Sequence, residues 1–361
     1  MFNVDKPKTL LQACPVYQTT PIHELLYNNK KIIIKDESNR MGLGSFKALG
    51  GFYAVAQLIA KKVNKQLSPL EYLSPSVQKI AKEMVFVCAS AGNHGLAVAA
   101  GAKIFGSRAR IHLAKTVPDE FAKRLRDKGA EVVRSGSTYE DSVFAAITDS
   151  EDTNAIHLAD GSWPGYTENP RLVMEGYTVI AEELRQEFEQ KKNWPTHVFL
   201  QAGVGGLAAA IGFMIRHNWQ IQPKIIIVEP DRADCVLQSV RANKMKKIRI
   251  KKESIMGGMS CNEMSLVPWQ ILKKTSNYCV SVTDNNVAKT TAMLKDRKLS
   301  KVSIIGGECA TPGVIALIGL ANNLKARKSL NLKEDSNILV IGCEGNADVK
   351  LYKQLLSKGR K

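Results

Sequence analysis

Three times along this chain a short run of branched apolar residues ends in a glycine-rich turn and gives way to a segment of helical period. Lys31–Lys35 (KIIIK) runs into the glycine-bearing loop Asp36–Gly44, and Leu49, Tyr53 and Ala56 then fall on one side of a helix. Met84–Cys88 (MVFVC) leads into AGNHG and an alanine-rich helix over Leu96–Phe105, and His197–Gln201 (HVFLQ) leads into AGVGGLA and a helix through Met214. Ile225–Glu229 and Ile338–Gly342 are apolar nearly throughout, as expected of strands buried on both faces. Strands alternating with helices predict right-handed βαβ units around largely parallel sheets, an α/β fold. In such folds ligands bind beyond the carboxyl ends of the strands, which is where these turns fall.

The 361 residues suffice for two domains or one large one. Asn64–Lys82, polar and with two Ser-Pro steps, reads as an excursion or short helical insertion, and Ser150–Asn154 is a second polar break. The first ten residues contain no apolar run, and the apolar stretches 85–104 and 302–320 are interrupted by Asn93 and His94 and by Glu308 and Pro312. Neither a signal peptide nor a membrane span is expected. The 51 basic residues outnumber the 34 acidic ones, for a net charge of +17. That excess raises nucleic acid as a partner. It is spread along the chain apart from Arg241–Lys252, where no interleaved aromatic accompanies it, so the first reading is a solvated basic surface. Seven scattered cysteines form no CxxC and no zinc spacing, which predicts reduced thiols in a cytoplasm and no metal.

Three local motifs carry chemistry. Gly203-Val204-Gly205-Gly206-Leu207, between a buried strand and a helix, offers backbone N–H groups and a helix dipole to a phosphate, although such a turn can equally be a tight connection. It matches neither a nucleoside-triphosphate loop nor a dinucleotide fingerprint. Ser45-Phe46-Lys47 places a lysine at a helix start, where the dipole disfavours a cation; an exposed lysine is the ordinary alternative, and a bond to a cofactor is the chemical one. Ser90-Ala91-Gly92-Asn93-His94-Gly95, at a strand end, offers N–H groups and an amide to a carboxylate or a hydroxyl.

Together and in this order, these motifs resemble those of the fold-type-II pyridoxal-phosphate enzymes of the tryptophan-synthase-β and threonine-dehydratase group. Within it the chain is similar to the diaminopropionate ammonia-lyases, through Ile34–Ser38, Phe46–Gly51, Asp160 with Trp163 and Gly165–Thr167, Met174–Tyr177, Gln201–Gly205, Ile226–Asp231 with Ala233–Cys235, Ile255–Cys261, and Glu344-Gly345 with Asp348–Lys350 and Tyr352. The resemblance implies two parallel-rich three-layer αβα domains with the cofactor between them: a small one inserted at 85–168, and a large one from 1–84 plus 169–361. It also implies a homodimer.

Residue by residue, it assigns Lys47 to the cofactor aldehyde and to the Cα proton, Gly203 to Leu207 to the cofactor phosphate, Asn93 to the ring hydroxyl, and Ser90 to His94 to the substrate carboxylate. Cys343 would stand beside the pyridine nitrogen, where a neutral partner favours elimination. Asp160 would assist the leaving amine; a turn aspartate before Gly161 is the alternative. The chain departs from the lyase pattern twice. Ala91 stands where those enzymes carry an aspartate that serves as a second Cα base, so action on a D-isomer should be weak or lost, and Gly306–Gly313 replaces a shorter turn. The implied reaction is α,β-elimination of L-2,3-diaminopropionate to pyruvate and ammonia. The S-A-G-N-H loop makes an L-serine or L-threonine dehydratase the alternative, and a non-catalytic relative or a nucleic-acid binder the rivals from other classes.

Overall fold

The computed structural model describes residues 2–28, 30–321 and 323–361. Among the described residues ten strands are formed: β1 (Ile22–Tyr27), β2 (Lys30–Asp36), β3 (Val85–Ala89), β4 (Arg108–Leu113), β5 (Glu131–Arg134), β6 (Ile156–His157), β7 (His197–Gln201), β8 (Lys224–Pro230), β9 (Tyr278–Val282) and β10 (Ile338–Gly342). They make a six-stranded sheet in the order β1-β2-β10-β7-β8-β9 and a four-stranded sheet in the order β5-β4-β3-β6. All neighbours pair in parallel except β1 with β2. Every residue of β7 and β10 is buried, the apolar run of β10 and the Val198–Leu200 centre of β7 together with the polar ends His197 and Gln201. No helix among the described residues is long and apolar enough to cross a membrane.

The chain divides into two compact units. One contains the residues up to Gln18 and Arg40–Val179; the other contains Thr19–Asn39 and Ile180–Lys361. The division therefore lies elsewhere than at 85–168. The first unit takes in the helix Lys47–Val63, because its glycines let it lie directly on its neighbours. A Cβ on Gly51 would meet Ala97 at 2.6 Å, and one on Gly50 would meet the Tyr177 ring at 2.4 Å and the Val173 carbonyl at 2.6 Å. Gly50→Ala is accordingly expected to lower stability by about 1–3 kcal/mol through overpacking, read as a fall in the urea midpoint.

Both sheets reverse their winding once. In the first unit the order runs β3, β4, β5 outward and then returns to β6 on the far side of β3. With right-handed crossovers, the helices Asn93–Ile104 and Asp119–Asp127 cover one face and Tyr139–Asp152 the other. In the second unit β7, β8 and β9 run outward and β10 returns to the far side of β7. A crevice opens beyond the carboxyl ends of the strands at each reversal.

Several motif residues hold the scaffold. Lys35, fully buried, pairs with Glu183 at 2.6 Å and donates to the Thr20 carbonyl, while the Thr20 hydroxyl donates to Glu37 at 2.6 Å. Glu229 accepts from the Val236 and Leu237 amides at the start of the helix Cys235–Ala242. In the first unit His112 bridges Ser135 at 2.7 Å and Asp149 at 2.8 Å. Although this lines up a serine, a histidine and an aspartate, the Ser135 amide is spent on the Leu113 carbonyl, so the cluster reads as a tie between β4, β5 and the helix behind them.

Asn64–Lys82 contains the helix Pro75–Glu83 and a short 3-10 turn, the helical insertion expected; Ser150–Asn154 is the frayed end of Tyr139–Asp152. The helix expected from Leu96 starts at Asn93, so Asn93 and His94 lie in its first turn rather than in the preceding loop.

Candidate active site

The first unit gathers its candidates where β3 and β6 end side by side. Ser90 and Ala91 follow β3, and Gly92 caps the helix Asn93–Ile104 without a side-chain bond. The His94 ring is buried and bonds by Nε2 to the Leu158 carbonyl at 2.8 Å, just past β6. Since a carbonyl only accepts, the ring carries its proton at Nε2. Burial lowers its pKa, so the ring is neutral and its buried Nδ1, without a hydrogen-bond partner among the described residues, is a bare lone pair. The His94 side chain is therefore a strand tie.

Asp160 sits two residues beyond Leu158. Its loop is pinned by Tyr166, whose hydroxyl donates to the His157 carbonyl at 2.8 Å and accepts from the Ala159 amide at 3.1 Å, and whose ring stacks on Trp163 at 4.4 Å. The Asp160 carboxylate accepts from Lys47 Nζ. Burial works against the charge on Asp160, but the Lys47 ammonium beside it outweighs burial and holds the carboxyl well below the usual carboxylate range. An ionised Asp160 accepts hydrogen bonds and donates none. Lys47 begins its helix under two rings. Its Nζ lies 5.3 Å from the centre of Phe46 and 6.0 Å from that of Tyr177, and these rings meet edge to face at 4.8 Å. Tyr177 entered the sequence reading only within the stretch Met174–Tyr177 that carries the resemblance, with no role assigned to it. Its hydroxyl is pushed well up by burial and stays protonated.

The second unit gathers its candidates where β7 and β10 end side by side. After β7, Gly203 approaches a neighbouring segment so closely that a Cβ would stand 2.8 Å from the Gly258 carbonyl oxygen and 3.0 Å from Met259 Cα. Gly205 has φ +97°, which a side chain would strain. The helix Gly206–Asn218 then opens with no side-chain cap, leaving the first amides of Gly206 and Leu207 directed outward. The turn from Gly203 through Val204 to Leu207 is thus shaped by its own backbone as an anion cup.

Beyond β10, Cys343 is buried and its thiol donates to the Cys309 carbonyl at 3.2 Å. Gln201 donates to the same carbonyl and to that of Ile341, locking the ends of β7 and β10 together. Beside them Glu344 accepts from the Cys309 amide, and the donor atoms of Glu308, Cys309 and Glu344 lie within 4.8 Å of one another. This group, like Cys309, was invisible to sequence reasoning because the contact joins residues thirty-five apart.

Burial, and then the neighbouring Glu344, push the Glu308 carboxyl up to about 8. The sign of its effect on stability follows from the proton count. Below the ordinary glutamate range both folded and unfolded chains are protonated there; as pH rises through that range the unfolded chain ionises while Glu308 keeps its proton, so stability is withdrawn until pH passes about 8. Glu308→Gln should leave the urea midpoint near its value at pH 4 and raise stability by about 1–2 kcal/mol at pH 9.

A primary amine beside two aromatic rings suits an aldehyde, and, separately, a glycine-shaped turn at a helix start suits a phosphate. A sequence profile described as "Pyridoxal-phosphate dependent enzyme" matches residues 14–344, and the chain belongs to this family. More particularly, it is similar to the diaminopropionate ammonia-lyase of Escherichia coli (strain K12), with 32% identity over 353 residues, 95% of this chain and 88% of the relative. It is also 32% identical to the diaminopropionate ammonia-lyase of Salmonella typhimurium, over 96% of this chain and 90% of that one. The crystal structure of the holo Escherichia coli lyase matches with a TM-score of 0.88 at 31% identity, covering 99% of this chain and 92% of that one. A structure of the same lyase with an aminoacrylate-PLP azomethine reaction intermediate matches with a TM-score of 0.87, also at 31% identity, over 99% of this chain and 92% of that one. The fold is therefore that of the fold-type-II enzymes, and the cofactor is pyridoxal phosphate.

Proposed function

We propose that the protein catalyses the α,β-elimination of L-2,3-diaminopropionate, and that it does so with Lys47 as the group that receives the Cα proton. The observation that carries the reading is the Lys47–Asp160 pair at the winding reversal of the first sheet, shielded by Phe46 and Tyr177.

Pyridoxal phosphate, when bound, withdraws electrons from the substrate Cα and so makes its proton removable. Lys47 would be the residue that holds the cofactor aldehyde, the Gly203–Leu207 turn its phosphate, Asn93 its ring hydroxyl, and Cys343 would present a neutral group to its ring nitrogen. The backbone N–H groups of Ser90 to His94 would bind the substrate carboxylate and fix which Cα bond is presented. Lys47 Nζ takes the Cα proton and, as an ammonium, can return one to the departing β-nitrogen; the carboxylate of Asp160 orients Nζ and stabilises its charge. The β C–N bond breaks with release of one ammonia, and water converts the aminoacrylate product to pyruvate and a second ammonia. Hydroxy amino acids are the second reading, favoured by Ala91, which leaves the loop without the second base of the lyases. The seven thiols, none paired with another, fit the reducing cytoplasm, and a homodimer remains part of the proposal.

A 2-oxoacid assay on the holoenzyme, with L- and D-2,3-diaminopropionate, L-serine and L-threonine side by side, tests this. Product from L-2,3-diaminopropionate alone is expected; strong product from serine or threonine with little from the diamine would replace the substrate. Ala91→Asp should raise turnover of the D-isomer at least about tenfold, since it restores a carboxylate able to accept a proton there.

A further inference from the structure

The basic stretch Arg241–Lys252 has no role in the reaction above. In the second unit it forms one wall of an open cleft of about 590 Å³ beside the helix Cys235–Ala242. Arg241, Lys246, Lys247 and Arg249 line it, with Asp234 and Gln238. All four cations are exposed, and the single acid is engaged by Gln238, whose amide donates to it at 2.6 Å.

The wall is held in place from behind. The Lys246 amide donates to the hydroxyl of buried Ser239 at 2.9 Å, and the Ile248 amide donates to the Asn262 carbonyl at 2.8 Å. These two anchors fix the backbone on either side of Lys247 and so keep the four exposed cations along one shallow cleft. The cleft is acid-poor, and its four like charges repel one another unless a polyanion fills it. Its volume suits a small ligand. No aromatic side chain lines it, so it offers nothing on which a base could stack.

We propose that this cleft binds a free small anion carrying two or more phosphate groups, gripped by Arg241 and Arg249 as planar forks and by Lys246 and Lys247 as point charges. This site is independent of the elimination reaction. Its wall continues through Asn262 to Gly258, Met259 and Cys261, whose atoms would lie within 3.1 Å of a Cβ at Gly203. A bound anion therefore braces the segment that backs the cofactor-phosphate turn.

The test is calorimetric titration of the holoenzyme with inorganic tripolyphosphate at 150 mM salt, with ATP as a parallel arm. Saturable binding at one per chain is expected. K247E/R249E should weaken it at least tenfold, whereas K79E/K82E, the same charge change on the helix Pro75–Glu83, should leave it within twofold. Amide exchange over residues 244–262 should slow with tripolyphosphate in the wild type and not in K247E/R249E. Equal affinities for ATP and tripolyphosphate would support recognition of the phosphate chain alone. The proposal is overturned by absence of saturable binding at millimolar tripolyphosphate, by equal weakening in both double variants, by binding of ATP without tripolyphosphate, or by tighter binding of a single-stranded oligonucleotide carrying several proteins per strand.

Discussion

Lys47→Ala is expected to form 2-oxoacid from L-2,3-diaminopropionate at less than about one-thousandth of the wild-type rate, because one substitution removes both the amine proposed to hold the cofactor aldehyde and the group proposed to take the Cα proton. The alanine also leaves the Asp160 carboxylate without its cation. Asp160 stands 27% exposed and retains water, so the stability loss should be only about 1 kcal/mol. The two effects separate cleanly: activity collapses, the urea midpoint moves slightly, and the absorbance of the lysine-bound cofactor disappears. A variant that kept a tenth of the activity would remove Lys47 from the mechanism.

Asp160→Asn carries the second-largest effect, a fall in kcat of about a hundredfold. The amide is nearly isosteric and can still meet Lys47, but it supplies no negative charge to stabilise the ammonium that forms there. The loss should therefore fall on kcat while KM for the substrate changes little, a split that distinguishes lost charge from lost shape. The pH dependence follows from the same pair. The carboxyl is held well below its ordinary range, so the stabilisation from pairing is fully present above the unfolded aspartate range and is lost only as pH falls through the lower folded value. Asp160 thus contributes no acid limb to the kcat profile above pH 4; a limb there that vanished in Asp160→Asn would show that the carboxyl titrates in the working range.

What the sequence made legible was the chemistry that local backbone dictates. The runs 197–201 and 338–342 became β7 and β10 with those bounds, because a strand buried on both faces needs no partner-specific pattern to be recognised. The Gly203–Leu207 turn was readable for the same reason: its conformation is written in its glycines. β4 was not, since Arg108-Ala109-Arg110-Ile111-His112-Leu113 is interrupted by polar residues, and the charge of Arg110 is met only in the folded chain, by Glu131 and Asp149. Nor could the unit boundary be read. Gly50 and Gly51 look like poor helix residues until the Tyr177 ring and Ala97 are seen lying against them. Asp160 was legible as a candidate and not in its state, because ionisation depends on Lys47, which reaches it from another segment.

The two winding reversals have a consequence for how such a chain can change over generations. The groups proposed to anchor a phosphate follow a strand at one sheet's reversal, and a group proposed to handle a proton follows a strand at the other's. Selection can therefore act on the two inheritances separately. A single exchange at a position such as Ala91 can redirect which molecules are consumed while the machinery that retains the cofactor passes on untouched, which is how one ancestral scaffold can supply enzymes for unlike diets.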